Sequence, residues 1–188
     1  MPARETAKPS DPFKSIQAGT DKHRASHGCW AYPFQDGPAL GVISAAVGAK
    51  RILELGTALG YTSCWFAYGS PAAKVDTIEQ DSDHVRLARA NLAKAGFGDR
   101  VTVHQGAFIS IIPDLPPGFD IAFFDGYAPT MADLDMLTRM LRVGGILITT
   151  NLGLGGEAGR YVETLCDPKL WMTAFMAEGG RTAVSVRR

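Results

Sequence analysis

RILELGTALGYTS, Arg51 to Ser63, decides the fold. Arg51 to Leu55 is a short apolar run of strand type, Gly56 and Gly60 punctuate a turn, and Thr62 to Tyr68 carries helical spacing. Downstream the pattern repeats. Lys74 to Ile78 reads as a second strand and Asp83 to Ala95 as a helix, with Val85, Ala88, Leu92 and Ala95 on one stripe. Asp81 or Ser82 can cap that helix and Gly96 can end it. Val101 to His104 and Ile121 to Asp125 follow as strands, with a short helix or turn over Ser110 to Leu115 between them. Ala132 to Leu141 is expected as a helix ended by Gly144 and Gly145, and Ile146 to Thr150 as the fifth strand. A helix near Glu157 to Cys166 precedes two last strands, near Trp171 to Met176 and Arg181 to Arg187, joined through Glu178, Gly179 and Gly180. Upstream, Pro38 to Val47 reads as a helix capped by Asp36 and stopped by Gly48.

Alternating strands and helices, with strands apolar nearly throughout, imply an α/β fold: a doubly wound, mostly parallel, Rossmann-like sheet covered on both faces. The count is seven strands, the final hairpin adding an antiparallel edge. A length of 188 residues suits one domain over 37–188 behind an N-terminal arm and lid segment, 1–36. Met1 to Lys22 is polar, with Pro2, Pro9 and Pro12, lacks the apolar core of a secretory signal, and reads as a mobile arm or partner-binding segment. Lys+Arg 19 balances Asp+Glu 19, which points away from nucleic acid and anionic membranes. No stretch approaches the ~20 apolar residues of a membrane span. Cys29, Cys64 and Cys166 are an odd set at unrelated spacings, read as reduced thiols in a cytoplasmic protein.

In such a sheet, ligands bind beyond the carboxyl ends of the strands, where strand order reverses. Gly56 and Gly60 let backbone approach a ligand, but their G-x-x-x-G spacing is not the G-x-G-x-x-G of a pyrophosphate loop. That disfavours a nicotinamide-dependent oxidoreductase and favours a nucleoside carrying a small tail. Glu79 ends the second strand at the distance where a carboxylate reaches ribose hydroxyls. Gly106, Ala107 and Phe108 follow the third strand, a glycine for clearance and an aromatic that can pack on a purine. Asp125 ends the fourth strand, and Thr150 and Asn151 the fifth. Acceptors there suit a cationic ligand such as a sulfonium with an α-amino group.

These residues resemble the S-adenosylmethionine (SAM)-dependent O-methyltransferases related to catechol and caffeoyl-CoA O-methyltransferases. The likeness rests on Arg51 to Ser63, Thr77 to Glu79, His104 to Phe108 with Ile111 to Leu115, Phe119 to Asp125, and Leu141 to Asn151. It implies a class I methyltransferase domain that converts SAM to S-adenosylhomocysteine (SAH) while methylating a small acceptor. Glu54, Gly56, Thr57, Ala58, Gly60, Tyr61 and Thr62 would surround the methionine part. Glu79 and Gln80 would hold the ribose; Gly106, Ala107 and Phe108 would border the adenine; Asp125 would sit near the sulfonium. A homodimer is the family's habit.

The family's chemistry uses a divalent metal on two Asp and one Asn, and a Lys three residues after the first Asp. Here Asp125 and Asn151 match, but Thr150 and Ala128 replace the second Asp and the Lys. Loss of a carboxylate weakens a Mg²⁺ site, so the expectation is methyl transfer without the metal, to an acceptor already nucleophilic or served by another base. Asp125, Tyr127, Asn151 and His27 are the catalytic candidates. His23 and His27, at i, i+4, could instead be solvated surface histidines, or ligate a metal with Cys29 at a spacing outside the usual zinc patterns. His84 and His104 read as structural. Trp30, Tyr32, Phe34 and Tyr127 suggest a flat, partly apolar acceptor, although the first three could equally form a packing strip or dimer contact. A SAM-binding protein without turnover is the rival reading of another class.

Overall fold

The computed structural model describes residues 10–188. Helix α1 (Lys14–His27) and α2 (Gly37–Ala46) lead into β1 (Arg51–Leu55), α3 (Tyr61–Gly69), β2 (Lys74–Glu79), α4 (Ser82–Lys94) and β3 (Val101–Gln105). Then come α5 (Phe108–Ile111), β4 (Phe119–Phe124), α6 (Met131–Met140), β5 (Leu141–Thr149), α7 (Ala158–Leu165), β6 (Trp171–Met176) and β7 (Thr182–Arg187). The sheet has seven strands in the order β3-β2-β1-β4-β5-β7-β6. β3 through β5 pair in parallel, and β7 joins antiparallel to both β5 and β6. The expected doubly wound sheet with a C-terminal hairpin is the observed one.

Strand alternation sorts the core into two layers. Ile52 joins Cys64, Phe66, Val85 and Leu92 under α3 and α4, whereas Leu53 and Leu55 join Leu134, Leu137 and Tyr161 under α6 and α7. Glu54 therefore points into the first layer. Chain order runs outward from β1 to β3 and then returns to β4, so the crevice of the switch point opens between the ends of β1 and β4.

Several expectations change. The mobile-arm reading is overturned over Lys14 to Lys22, which are helical; residues 1–9 lie outside the described residues. Phe13 is buried and stacks edge-on against Trp65, Tyr68 and Phe97. Gly144 and Gly145 do not end a helix. They lie inside β5, which starts at Leu141, beside a register shift between Phe119 and Ile121. Asp36 stands at the start of α2 without capping it; its carboxylate accepts instead from the Glu178 N–H of the β6–β7 turn at 2.9 Å. The Asp81 cap of α4 and the left-handed Gly96 are as expected. His104 bonds Asp76 at 2.8 Å, a structural pair. The three cysteines are free thiols, and no described helix is long and apolar enough to cross a membrane.

Candidate active site

The loop after β1 is shaped by the chain's own backbone. Gly56 has φ +98°, and a Cβ there would lie 2.6 Å from the Asp125 carbonyl oxygen. The close approach that demands glycine is thus to the end of β4, which locks the two strand ends together. Ala58 sits in the left-handed region at φ +45°, an arrangement that costs on the order of 1–2 kcal/mol for a side-chain-bearing residue. Its N–H is held by Glu79 Oε2 at 2.9 Å. Gly60, at φ +89°, opens α3 and packs on Leu92 and Ala88 of α4, so its small size serves helix packing. Thr57 is buried, its hydroxyl 2.5 Å from that of Thr77.

Beyond these ends lies a cleft of about 1090 Å³. It brings together Gly56, Ala58, Glu79, Gln80, Gly106, Ala107, Phe108 and Asp125, with His27 and Tyr127 at its margins. A hollow of about 20 Å³ on the far side of the β1 loop collects Thr57, Tyr61 and Thr62 and again reaches Gly56, Ala58 and Asp125. Glu54 and Gly60 line neither space.

Glu79 is fixed at both oxygens: Oε2 takes the Ala58 N–H and Oε1 the Asp81 N–H, each at 2.9 Å. Ile78 and Phe108 form the apolar wall near it. At the other end, Thr150 donates to Asp125 Oδ1 at 2.7 Å. Enclosure by protein lifts the Asp125 carboxyl to about 7; Thr150 pulls it back, while Glu178 and Glu54 push it further up. Asn151, at φ +58°, turns its side-chain amide onto the Gly126 carbonyl at 2.7 Å. Tyr127 is exposed and stands edge-on to Trp30, 6.2 Å between ring centres. Phe34, by contrast, is buried against Phe123 and belongs to the packing strip.

Glu54 is fully buried and accepts from the Thr62 hydroxyl at 2.5 Å and from Ser63. Burial raises its carboxyl to about 7 against the pull of these hydroxyls. Tyr61 donates to Asp11 at 2.6 Å, and burial followed by that carboxylate raises its phenol. His27 lines the same cleft as Asp125 but makes its contacts elsewhere. Its neighbours are Asp83 at 3.9 Å and the rings of His23 and His84. Burial first, then His84 and His27, hold His23 below the ordinary imidazole range.

Sequence reasoning did not single out Ile78, Asp81, Ile109 or His84 as cleft residues. Ile78 and Asp81 flank Glu79, so the strand-end rule could have found them. Nothing local marks His84.

A family model described as a methyltransferase domain matches residues 53–151. The chain is 35% identical over 129 residues to a catechol O-methyltransferase from Mycobacterium tuberculosis, covering 67% of this chain and 59% of that protein. It is 31% identical over 127 residues to a catechol O-methyltransferase from Niastella koreensis, covering 64% of this chain and 58% of that protein. The chain thus spans under two thirds of the length of these curated relatives. Among solved structures, an O-methyltransferase from Bacillus cereus in complex with SAH superposes with a TM-score of 0.78 at 23% identity, over 97% of this chain and 94% of that one. That likeness carries the fold.

Proposed function

Since the chain belongs to the methyltransferase family that holds these catechol O-methyltransferases, we propose that it moves a methyl group from SAM to a hydroxyl of a small, flat, partly apolar acceptor, with Asp125 rather than a divalent metal handling the proton. The observation that carries this reading is the half-buried Asp125 carboxyl that lines the cleft at the strand-order switch, braced there by Thr150 and with desolvation raising its pKa.

The cleft fits the cofactor. Glu79, already oriented by two backbone donors, offers its carboxylate to a ribose diol. Ile78, Ala107 and Phe108 suit a purine, and the backbone of Gly56 to Ala58 at the cleft wall suits the amino-acid tail. Glu54 acts from behind, fixing Thr62 and Ser63. When bound, SAM supplies an electrophilic methyl group on a sulfonium.

A divalent metal does not fit. Mg²⁺ wants octahedral oxygen donors led by carboxylates. Of the three positions that hold the metal in the family, only Asp125 is a carboxylate here; the Thr150 hydroxyl is spent on it, and the Asn151 amide is turned to Gly126. Asp125 takes the proton of the acceptor hydroxyl, a role suited to a base whose pKa lies near the working pH. Trp30 and Tyr127 wall the acceptor and hold its plane, and such orientation can be worth ~7–11 kcal/mol. His27 lies with the Glu79 end of the cleft, so the base is assigned to Asp125.

Calorimetric titration with SAM tests the reading, with and without EDTA. Affinity is expected to ignore the chelator and to fall about 10–100-fold in Glu79→Ala, the loss of charge-assisted hydrogen bonds of roughly 1.5–3 kcal/mol. Asp125→Asn should weaken SAM binding only modestly, by loss of one facing charge, while turnover of a catechol-type acceptor falls ~10²–10⁴-fold. Binding without turnover for any hydroxyl acceptor would favour the non-catalytic rival. Loss of turnover on chelation would return the proton to a metal.

A further inference from the structure

We propose that His23, His27, Cys29 and His84 form a zinc site that clamps α1 onto α4 at the rim of the cleft. The four side chains come from three places in the chain. His23 and His27 lie one turn apart on the last two turns of α1. Gly28 then ends the helix in the left-handed conformation, at φ +71°, its N–H returning to the Arg24 carbonyl. That reversal brings Cys29 back beside the two rings. His84 arrives from the first turn of α4. One ligand atom from each of the four lies within 4.8 Å of every other.

Two buried atoms at the centre lack partners. His84 is 6% exposed. Its Nδ1 faces Glu79 Oε1 at 3.7 Å, while its Nε2 is buried with no hydrogen-bond partner. His23 Nε2 is buried and unpartnered as well. A buried ring nitrogen without a partner costs roughly 1–3 kcal/mol, and here two of them converge. The rings of His23 and His27 stack at 4.6 Å, and His84 meets His23 edge-on at 5.0 Å.

Three imidazoles and one thiol are the donor set of a tetrahedral Zn²⁺ site, borderline-soft nitrogen joined to soft sulfur. Bonds of about 2.0–2.3 Å bring ligand atoms to about 3.3–3.6 Å apart. The side chains must therefore close by roughly 1 Å, which the exposed His27 and half-exposed Cys29 can do by χ rotation. Binding replaces the Cys29 S–H bond by a sulfur–zinc bond and releases that proton to solvent. Four protein ligands leave no open position, so the site is structural. Asp83, 3.9 Å from His27, adds negative charge beside it. Glu79 stands behind His84, its Oε1 3.7 Å from Nδ1, so a small closure of the site would let the carboxylate orient the ring as outer-shell carboxylates do. The metal site itself does not depend on the methyltransferase reading.

The test is titration of metal-stripped, full-length protein with Co²⁺, followed by absorption. One equivalent should produce the intense visible bands of tetrahedral cobalt and a thiolate-to-cobalt charge-transfer band, both bleached by added Zn²⁺. Cys29→Ser should abolish the charge-transfer band. His84→Gln should weaken Zn²⁺ binding at least about 100-fold, beyond what loss of an outer-shell partner does. Asp125→Asn, at the place of the family's metal, should leave the spectrum intact. Weak octahedral bands alone, no binding, or a spectrum indifferent to both ligand variants would overturn the proposal. Should His84→Gln fail to fold, the wild-type spectrum and Cys29→Ser decide it.

Discussion

At Gly56 and Gly60 the same amino acid answers two different demands. Gly56→Ala would place a methyl group 2.6 Å from the Asp125 carbonyl, a backbone atom that cannot step aside without moving the end of β4. Gly60→Ala would meet Leu92 and Ala88 at 3.4 Å or more, and so suffers chiefly from its positive φ. The left-handed term alone is roughly 1–2 kcal/mol. Gly60→Ala should therefore lose about that much in urea unfolding. Gly56→Ala should lose more, and should also weaken SAM binding by displacing Asp125. Equal losses for the two variants, with SAM affinity untouched, would mean that the β1–β4 lock does not matter. The sequence marks both glycines alike, because a one-letter pattern records the turn but not which neighbour crowds it.

Among the elements, the strands and α3, α4, α6 and α7 were legible from their apolar periods, and α4 also from its Asp81 cap and Gly96; β5 begins earlier than the pattern suggests, at Leu141, because Gly144 and Gly145 lie within the strand. α1 was not. Its helix is polar overall, and prolines precede it. The signal was present in Phe13, Ile16 and Thr20, spaced three and four apart, with Phe13 and Thr20 buried and Ile16 packed on the same core. The His cluster was half legible: the i, i+4 pair stood out, but His84 lies 57 positions beyond His27 (84 − 27), and only the docking of α1 on the sheet layer brings them together. That docking rests largely on Phe13, set against Trp65 at 5.3 Å. Phe13→Ala should cost about 3 kcal/mol, at the low end of buried Phe truncations because the site is near the surface. Since α1 carries Lys14, Lys22 and Arg24, the variant should also be cut by trypsin in this helix faster than wild type under native conditions. Unchanged cleavage would show that the Tyr61–Asp11 hydrogen bond, not the aromatic cluster, holds the helix.

For the whole molecule, two enclosed carboxyls stand behind and before the same loop, and both are lifted to about 7, from 4.5 for Glu54 and 3.8 for Asp125. Burial is the main cause in each case; Glu79 adds to the rise of Glu54, and Glu178 and then Glu54 add to that of Asp125. An acid whose folded pKa lies above its unfolded value binds more protons when folded. Its contribution to stability is full below about pH 4 and is lost as pH rises toward 7. Removing the ionisable group removes that loss. Glu54→Gln should thus be no more stable than wild type at pH 4.5, where the amide offers a single acceptor in place of the two oxygens that Thr62 and Ser63 donate to. At pH 8 it should gain on wild type by up to roughly 3 kcal/mol, the ceiling set by the shift. Comparing variant and wild type at each pH cancels the titrations that the two proteins share. A cation seated in the cleft opposes the same repulsion, so saturating SAM should raise the wild-type melting temperature more at pH 8 than at pH 5.5. In Glu54→Gln that difference should shrink. A SAM-induced shift independent of pH in both proteins would show that the cofactor's charge is neutralised elsewhere, and would remove these two acids from the account of cofactor binding.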